Sequence, residues 1–578
     1  MPPKSKRWNI KSIKSPVPPA VRSRLRGISS SPVVAQVLYN RGLEDAELAR
    51  AFLRGELPLH DPFRLKDLPE AVDRICQAIQ QGEPIVVYGD FDADGVTATV
   101  LLVQALQSLG GKVQPYIPDR VDEGYGLNEQ ALGKLADQGI RLVITVDSGI
   151  RSVAEARYAR RHGLDLIITD HHHPAHEMPD AFAVINPKRP DCDYPFKELS
   201  GAGLAFKLAQ ALLSLAPGPD RQSEEDKESL LDLVALGTVA DIVPLRDENR
   251  ALVQGGLARL NAPEQPGIRA LLKSAGLAPG KVDATAIAFM LGPRLNAAGR
   301  LKSAMIAYEL LSAQDLSIAE PLAQEVNALN RERQELTAQA VEEAKAQIEA
   351  APGHGFILFA GGEQFRAGIV GLVASRLMEE YHRPAIVMEN GPETTRGSAR
   401  SIPEFHITAA LDECRDLLMR HGGHAAAAGF TVRNDNLPAL KERLQEIAAG
   451  RLHDRELVPT LDVDVEVRFS DLSVELQGEL ARLEPCGHEN PVPILCTRGA
   501  RVVDARAVGA DGKHLKLTLS DGTRWLDAIA FRQAHWLGHL PPQVDVAFTL
   551  EINEWNGEHR LQLNVQDLRP TAQGGGGP

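Results

Sequence analysis

The chain has 578 residues and a mass of 62.7 kDa, enough for three to five domains at roughly 100–200 residues each. Its 63 basic and 77 acidic side chains leave a formal net charge of −14, which excludes a generally basic nucleic-acid coat but not a basic cleft in an acidic body. With 43% hydrophobic and 24% charged residues it is no disordered chain, and no apolar run approaches the roughly 18 residues a membrane helix needs.

Met1 to Arg26 carries eight basic residues and no acidic one, interrupted by Pro16, Pro18 and Pro19. Residues 1–45 therefore read as a loosely ordered basic arm and lead-in. From about Glu83, apolar runs alternate with amphipathic ones. Strands are expected at Pro84–Tyr88, Leu142–Val146 and Leu166–Thr169, with helices over Thr97–Leu109 and Ser152–His162. Such alternation predicts a parallel, doubly wound sheet over residues 46–315. Pro217–Ser229, with its Ser-Glu-Glu-Asp run, reads as a surface loop, and Leu231 opens another apolar element. The glycine-free stretch from about Ala319 to Ala351 predicts a long connecting helix (316–352), with Pro321 in its first turn. A second α/β block follows over 353–452, with strands at Gly355–Phe359 and Pro384–Met388 around a helix at Ile369–Tyr381. From 458 to 570 the pattern becomes short alternating segments separated by Asp511-Gly512, Asp521-Gly522 and Asn556-Gly557, the signature of a small antiparallel barrel. Residues 571–578 end in Gly574–Gly577 and Pro578, an expected disordered tail.

Four apolar runs end in acids or histidines. Tyr88 leads into Asp90, Asp92 and Asp94; Val146 into Asp147; Thr169 into Asp170, His171, His172 and His173; Leu236 into Asp241. In an open parallel sheet the carboxyl ends of the strands line one crevice, so these groups converge. Carboxylates crowded together repel and are costly to bury, so the cluster implies bound cations. Mixed carboxylate and imidazole donors suit Mn²⁺, with Mg²⁺ possible, and a pair of ions suits attack on a phosphoryl group. The run Asp90-Phe91-Asp92-Ala93-Asp94-Gly95 opens like a calcium loop, but its twelfth position is Leu101 rather than glutamate. Asp147 or Asp241 alone would be as well explained by a cap or a turn.

Asp170-His171-His172 after a strand, with Asp92, Asp94 and Asp147 upstream, resembles the DHH phosphoesterase superfamily. Gly422-Gly423-His424 resembles the signature of the superfamily's companion domain. The segments 292–300, 235–241 and 397–402 resemble motifs of its RecJ single-strand-specific exonuclease branch. The resemblance implies DHH and DHHA1-type α/β domains and a C-terminal OB-like β-barrel. It implies 5′→3′ hydrolysis of single-stranded DNA to mononucleotides. Asp92 and Asp147 match ligands of one metal ion, and Asp94, Asp147, His171 and Asp241 those of a second. Asp90 and Asp170 match acids that orient the shell or the water, and His172 a residue near the scissile phosphate. Gly422, Gly423 and His424, placed before a helix, would bind substrate phosphate, with Arg294, Asn296, Arg300 and Arg400 as further contacts. Trp525, Phe531, Trp536 and Trp555 are candidates for base stacking or for barrel core. Two departures stand out: Tyr88 where many relatives carry a ligand histidine, and Phe365-Arg366 where relatives often have Trp-His. The resemblance also implies single-strand-binding protein and a RecQ-type helicase as partners of a monomer. The five cysteines, scattered without a CxxC pair, point to a reducing cytoplasm. A small-substrate phosphoesterase and a non-catalytic DNA-binding scaffold are the alternatives. The β-domain argues against the first and the complete set of acids against the second.

Overall fold

The computed structural model describes residues 6–120, 123–124, 126–215, 220–351, 355–555 and 558–571. They group into two units, one of residues up to 57 with 456–486 and 490 onward, the other of 58–455 with 487–489.

The larger unit is built on a five-stranded, all-parallel sheet. Its strand order is Lys112–Tyr116, Pro84–Tyr88, Leu142–Val146, Asp165–Thr169, Ala183–Ile185. The three central strands read as continuous apolar runs because both faces are covered. Alternate residues sort to opposite sides. Ile85, Val87, Leu142, Ile144, Val146 and Ile167 pack with the helices Ala93–Ser108, Gly201–Ser214 and Leu231–Ala240. Val86, Tyr88, Val143, Leu166 and Ile168 pack with Glu129–Asp137 and Val153–Arg161. Each such burial contributes about 1.5–3 kcal/mol, before chain entropy is charged against it.

Several boundaries differ from expectation. The helix after the first strand begins at Ala93, not Thr97, because the Asp92 carboxylate caps it by accepting from the N–H groups of Asp94 and Gly95 (3.0 and 3.1 Å). Leu231–Ala240 is a helix, so Asp241 lies at a helix C-terminus and not at a strand end. Part of the expected 217–229 loop, Asp220–Ser229, is helical, while 217–219 lie outside the described residues.

The connecting helix runs from Leu316 to Ala350, with Asp315 accepting from Ser317 N–H at its start. Pro321 falls in its second turn rather than its first, at the cost of one intrahelical hydrogen bond. The companion block has a five-stranded mixed sheet, ordered Leu418–Gly423, Ala427–Arg433, Thr394–Arg400, Ala385–Asn390, Leu358–Gly362. Phe365 is buried in its core while Arg366 is exposed, so only Arg366 of that departing pair reaches solvent.

The smaller unit is a β-barrel. Strands Leu495–Val508, His514–Ser520, Trp525–Ala530, Glu558–Pro570 and Gln543–Trp555 form it, and pairing of the last with the first closes it. Among the described residues, from Lys6 on, the N-terminal segment is not a loose arm. Arg7–Ile10 forms a parallel pair with Thr460–Val463, and the helices Pro19–Leu25, Pro32–Asn40 and Ala46–Arg54 pack on the barrel core. The boundary expected at residue 45 is therefore displaced, because valines and leucines of 17–53 complete the barrel's apolar cluster. The Trp8 indole N–H donates to Asp567 at 2.7 Å, and the Arg569 guanidinium covers its ring at 4.1 Å. Trp8→Ala should destabilise this unit by about 3–5 kcal/mol, visible as a lower-temperature transition in calorimetry; an unchanged trace would show the segment to be dispensable. Asn556, Gly557 and residues 572–578 of the tail lie outside the described residues, while Thr571 N–H donates to Gln543 O at 3.5 Å.

Candidate metal centre and phosphate cleft

The carboxyl ends of the three central strands deliver most of the expected acids to one place. Asp94, in the first turn of its helix, accepts from Gly201 N–H (2.6 Å) and Ala202 N–H (2.8 Å) at the start of the Gly201–Ser214 helix. Asp147 follows its strand with φ +60°, a left-handed conformation that asparagine and aspartate tolerate best among non-glycine residues. The His171 Nε2 lies 3.1 Å from Asp147 Oδ1 and 3.4 Å from Asp241 Oδ2. Asp170 accepts from Ile150 N–H (2.9 Å) and faces His172 Nδ1 at 2.7 Å, which fixes that ring. Ligand atoms gather into three sets: Asp90 with Asp92 and Asp147; Asp94 with His171 and Asp241; Asp147 with His171 and His172.

The electrostatics oppose this arrangement in the absence of a cation. Burial, then repulsion from Asp92, pushes Asp94 up to about 7 despite its two backbone donors. Burial and neighbouring carboxylates hold Asp90, Asp147 and Asp241 well above the usual carboxylate range. Burial drives His171 down to about 3, leaving it neutral and able to ligate. Burial opposes charge on His172, but the Asp170 hydrogen bond together with the charges of Asp170, Asp92 and Asp90 outweighs it and raises the imidazole. Asp90 Oδ1 and His171 Nε2 are buried without a hydrogen-bond partner among the described residues. Carboxylates and a neutral imidazole, orphaned and crowded, are the donor set a divalent ion requires, so the residues fit such ions.

Tyr88 takes no part in this cluster. Its hydroxyl donates to Gly126 O (3.2 Å), and its ring stacks on Tyr116.

Two glycines that sequence reading did not single out make room for the centre. A Cβ on Gly201 would lie 2.5 Å from the Asp147 Cβ, and one on Gly237 would lie 2.5 Å from both Asp94 Oδ1 and Thr97 Oγ1. Gly237→Ala should therefore displace Asp94 and weaken Mn²⁺ binding at least tenfold, about 1.4 kcal/mol. Calorimetric titration that returns the wild-type affinity would refute the packing argument.

A cationic wall faces the acids. Arg300 donates to Gly368 O (3.0 Å) across to the companion block. Burial, then repulsion from Arg120 and Arg333, lowers it to about 9, with Arg400 adding to the repulsion and Asp92 opposing it. Arg120 also opposes Arg400, and its guanidinium lies 4.4 Å over the Phe91 ring, between two of the acids in sequence. Half-buried guanidinium groups that repel one another form a site for an anion such as phosphate. Arg120 and Arg333 were missed in the sequence because nothing local distinguishes them from surface charges.

The remaining expected contacts fall into three places. Asn296 accepts from Ala93 N–H at 2.9 Å, so it braces the acidic turn. Arg294 donates to Met290 O and Asn327 Oδ1, tying its helix to the connecting helix. Gly422, Gly423 and His424 do not precede a helix; they form one arm and the turn of a β-hairpin. Gly423 has φ +147°, and a Cβ there would strike Ala427 O at 2.3 Å. The hairpin brings the His424 ring to 6.3 Å from that of His173, so the signature reaches the histidine run by tertiary contact. In the barrel unit, Trp525 and Phe531 are exposed, Trp536 packs partly against the core, and the side chain of Trp555 lies outside the described residues.

Comparison with known proteins places the chain in a family. Residues 84–238 match the DHH family, N-terminal domain; 354–450 match the DHHA1 domain; 463–567 match the RecJ OB domain. The chain is 41% identical over 566 residues to the single-stranded-DNA-specific exonuclease RecJ of Bacillus subtilis, covering 97% of this chain and 70% of that protein. Among solved structures it resembles RecJ of Thermus thermophilus in complex with Mn²⁺ (33% identity, TM-score 0.84, 98% of this chain and 80% of that one). It also resembles the Mg²⁺ complex from the same organism (31%, TM-score 0.78, 98% and 79%).

Proposed function

The chain belongs to the RecJ family of single-stranded-DNA-specific exonucleases, and on that premise we propose that it hydrolyses terminal phosphodiesters of single-stranded DNA 5′→3′, releasing mononucleotides in repair and recombination. The observation that carries the reading is the convergence of five aspartates and two histidines beside a wall of arginines.

The two sides divide the work. Arg120, Arg300 and Arg400 bind and orient phosphate, and Arg300 also fastens the companion block to the cleft. Asp92, Asp94, Asp147, His171 and Asp241 would hold two divalent ions, Mn²⁺ preferred and Mg²⁺ accepted, with Asp147 belonging to two of the three ligand sets. Bound divalent ions neutralise these acids and act as Lewis acids toward a phosphoryl group. Asp90, buried beside Asp92 and Asp147, orients the shell. Asp170 holds His172 in one orientation and favours its protonated form, which suits it to donate a proton to the departing oxygen. Gly422, Gly423 and His424 present the hairpin tip to the same phosphate.

No helix among the described residues is long and apolar enough to cross a membrane. A cytoplasmic monomer working with single-strand-binding protein and a RecQ-type helicase is the setting the family suggests.

The test is digestion of 5′-labelled single-stranded DNA with Mn²⁺ beside the same sequence as a blunt duplex. Label released as mononucleotide from the single strand alone is expected; release from the 3′ end would refute the polarity, and equal digestion of duplex the strand selectivity. Arg300→Ala should weaken metal-free binding of a 5′-phosphorylated strand about ten- to hundredfold, and lower the slope of log affinity against log salt by about one.

A further inference from the structure

One acidic side chain outside the metal cluster gathers an unusual number of donors. Glu123 Oε2 accepts from the Tyr116 hydroxyl at 2.7 Å and from Asn128 Nδ2 at 3.1 Å, while its Oε1 accepts from Asp119 N–H at 3.1 Å. Its own N–H donates to Asp119 O at 2.9 Å. The network reaches further. Asn128 Nδ2 also approaches the Tyr88 hydroxyl at 3.3 Å, and the Asn128 Oδ1 caps the helix Glu129–Asp137 by accepting from Ala131 N–H at 2.7 Å. Tyr88 stacks on Tyr116 at 4.9 Å between ring centres. A strand end, a turn and a helix start are thus tied to one exposed carboxylate. The tyrosine that stands in place of the family's histidine serves this tie rather than the metal cluster.

What the tie holds is Arg120, next in sequence to Asp119. Its guanidinium lies 4.4 Å over the Phe91 ring, where burial disfavours its charge, Asp90 and Asp92 attract it, and Arg300 and Arg400 stand as like charges. Attraction to the two acids offsets part of the burial, but it does not choose one backbone position for a long cationic side chain that otherwise keeps its head in water. The hydrogen bonds between Asp119 and Glu123 fix the backbone position from which Arg120 departs.

We propose that Glu123 is a positioning residue: by clasping Tyr116, Asp119 and Asn128 it presents Arg120 to the terminal phosphate of the DNA strand. The inference rests on the phosphate-cleft reading above and extends it to a residue that touches no substrate. Because Glu123 acts through Arg120, the two are not independent, and a double-mutant cycle exposes the coupling.

The experiment uses the full-length protein with EDTA, and fluorescence anisotropy on a 5′-phosphorylated and a 5′-hydroxyl oligothymidylate. Arg120→Ala is expected to weaken binding of the phosphorylated strand about tenfold or more, with a smaller effect on the hydroxyl strand. Glu123→Ala is expected to weaken it about three- to tenfold in the wild-type background and to have no further effect in Arg120→Ala. Glu123→Gln, whose amide oxygen still accepts from Tyr116 and Asn128, should recover part of the loss. Equal losses from Glu123→Ala in both backgrounds, or a lowered melting temperature with unchanged phosphate discrimination, would overturn the proposal. Wild-type binding by Arg120→Ala would instead overturn the phosphate-cleft reading beneath it.

Discussion

Asp147→Asn is expected to abolish DNA hydrolysis while making the metal-free protein more stable. Asparagine tolerates the φ of +60° at this position and matches aspartate in size, so the substitution changes charge and little else. Asp147 is buried, faces His171 at 3.1 Å, and belongs to two of the three ligand sets. Removing its charge removes the carboxylate the two ions would share, and a loss of at least about 10³-fold in rate, roughly 4 kcal/mol, should follow. The same charge is a burden without metal, because Asp94, Asp92, Asp241 and Asp90 all repel it. Thermal melts in EDTA should therefore place Asp147→Asn above wild type at pH 8. Nuclease activity within tenfold of wild type would refute the assignment of Asp147.

The stability of the metal-free protein should fall as pH rises from about 6.5 to 8, and Mn²⁺ should reverse the fall. Asp94 has a folded value of about 7, above its unfolded range near 4, so the folded state holds a proton that the unfolded state has lost. That contribution is present at low pH and disappears as pH rises through about 7. Asp90, Asp147 and Asp241 are raised in the same direction. His171 acts in the opposite sense. Lowered to about 3, it contributes stability that is lost as pH falls below its unfolded range near 6.5. Between about 4 and 6.5 the carboxylates and His171 oppose each other; above 6.5 the raised carboxylates and the raised His172 act in the same direction and set the slope together. A ligand that binds only the folded, deprotonated cluster adds stability by mass action, and adds more at higher pH. Melting curves at pH 6.5 and 8, with and without Mn²⁺, decide the matter; a flat metal-free profile would mean that the carboxylates are not crowded as described.

Much of this site was legible before any tertiary structure. The runs ending at Tyr88, Val146 and Thr169 are apolar on both faces because helices cover both sides of the sheet, and that burial is what made them readable as parallel strands. Strand ends in such a sheet share one edge, so Asp90, Asp92, Asp94, Asp147, Asp170, His171 and His172 could be brought together on paper. Asp241 was placed in the right crevice on the wrong kind of element, because a short apolar run does not distinguish a buried helix from a strand. Gly422-Gly423-His424 was put before a helix because glycines and alanines fit a hairpin and a helix start equally well. The N-terminal segment looked like an arm because its basic residues are conspicuous, while the valines and leucines that seal it to the barrel are spread over 17–53.

The sequence by itself determined which chemistry was present: a carboxylate and histidine cluster at the ends of parallel strands, a companion block, and a β-barrel. These follow from local periodicity and from the types of side chain, which do not depend on the distance between segments. Arg300 and Arg400 were already expected from the family resemblance; only the tertiary structure added Arg120 and Arg333 and showed what holds these cations. Arg120, Arg300, Arg333 and Arg400 meet from four separate segments, Asn296 turns inward to brace Ala93, and Arg294 turns away to the connecting helix. A charge on a long, flexible side chain has no local signature of its partner, since its energy is set by what stands within a few ångströms in space.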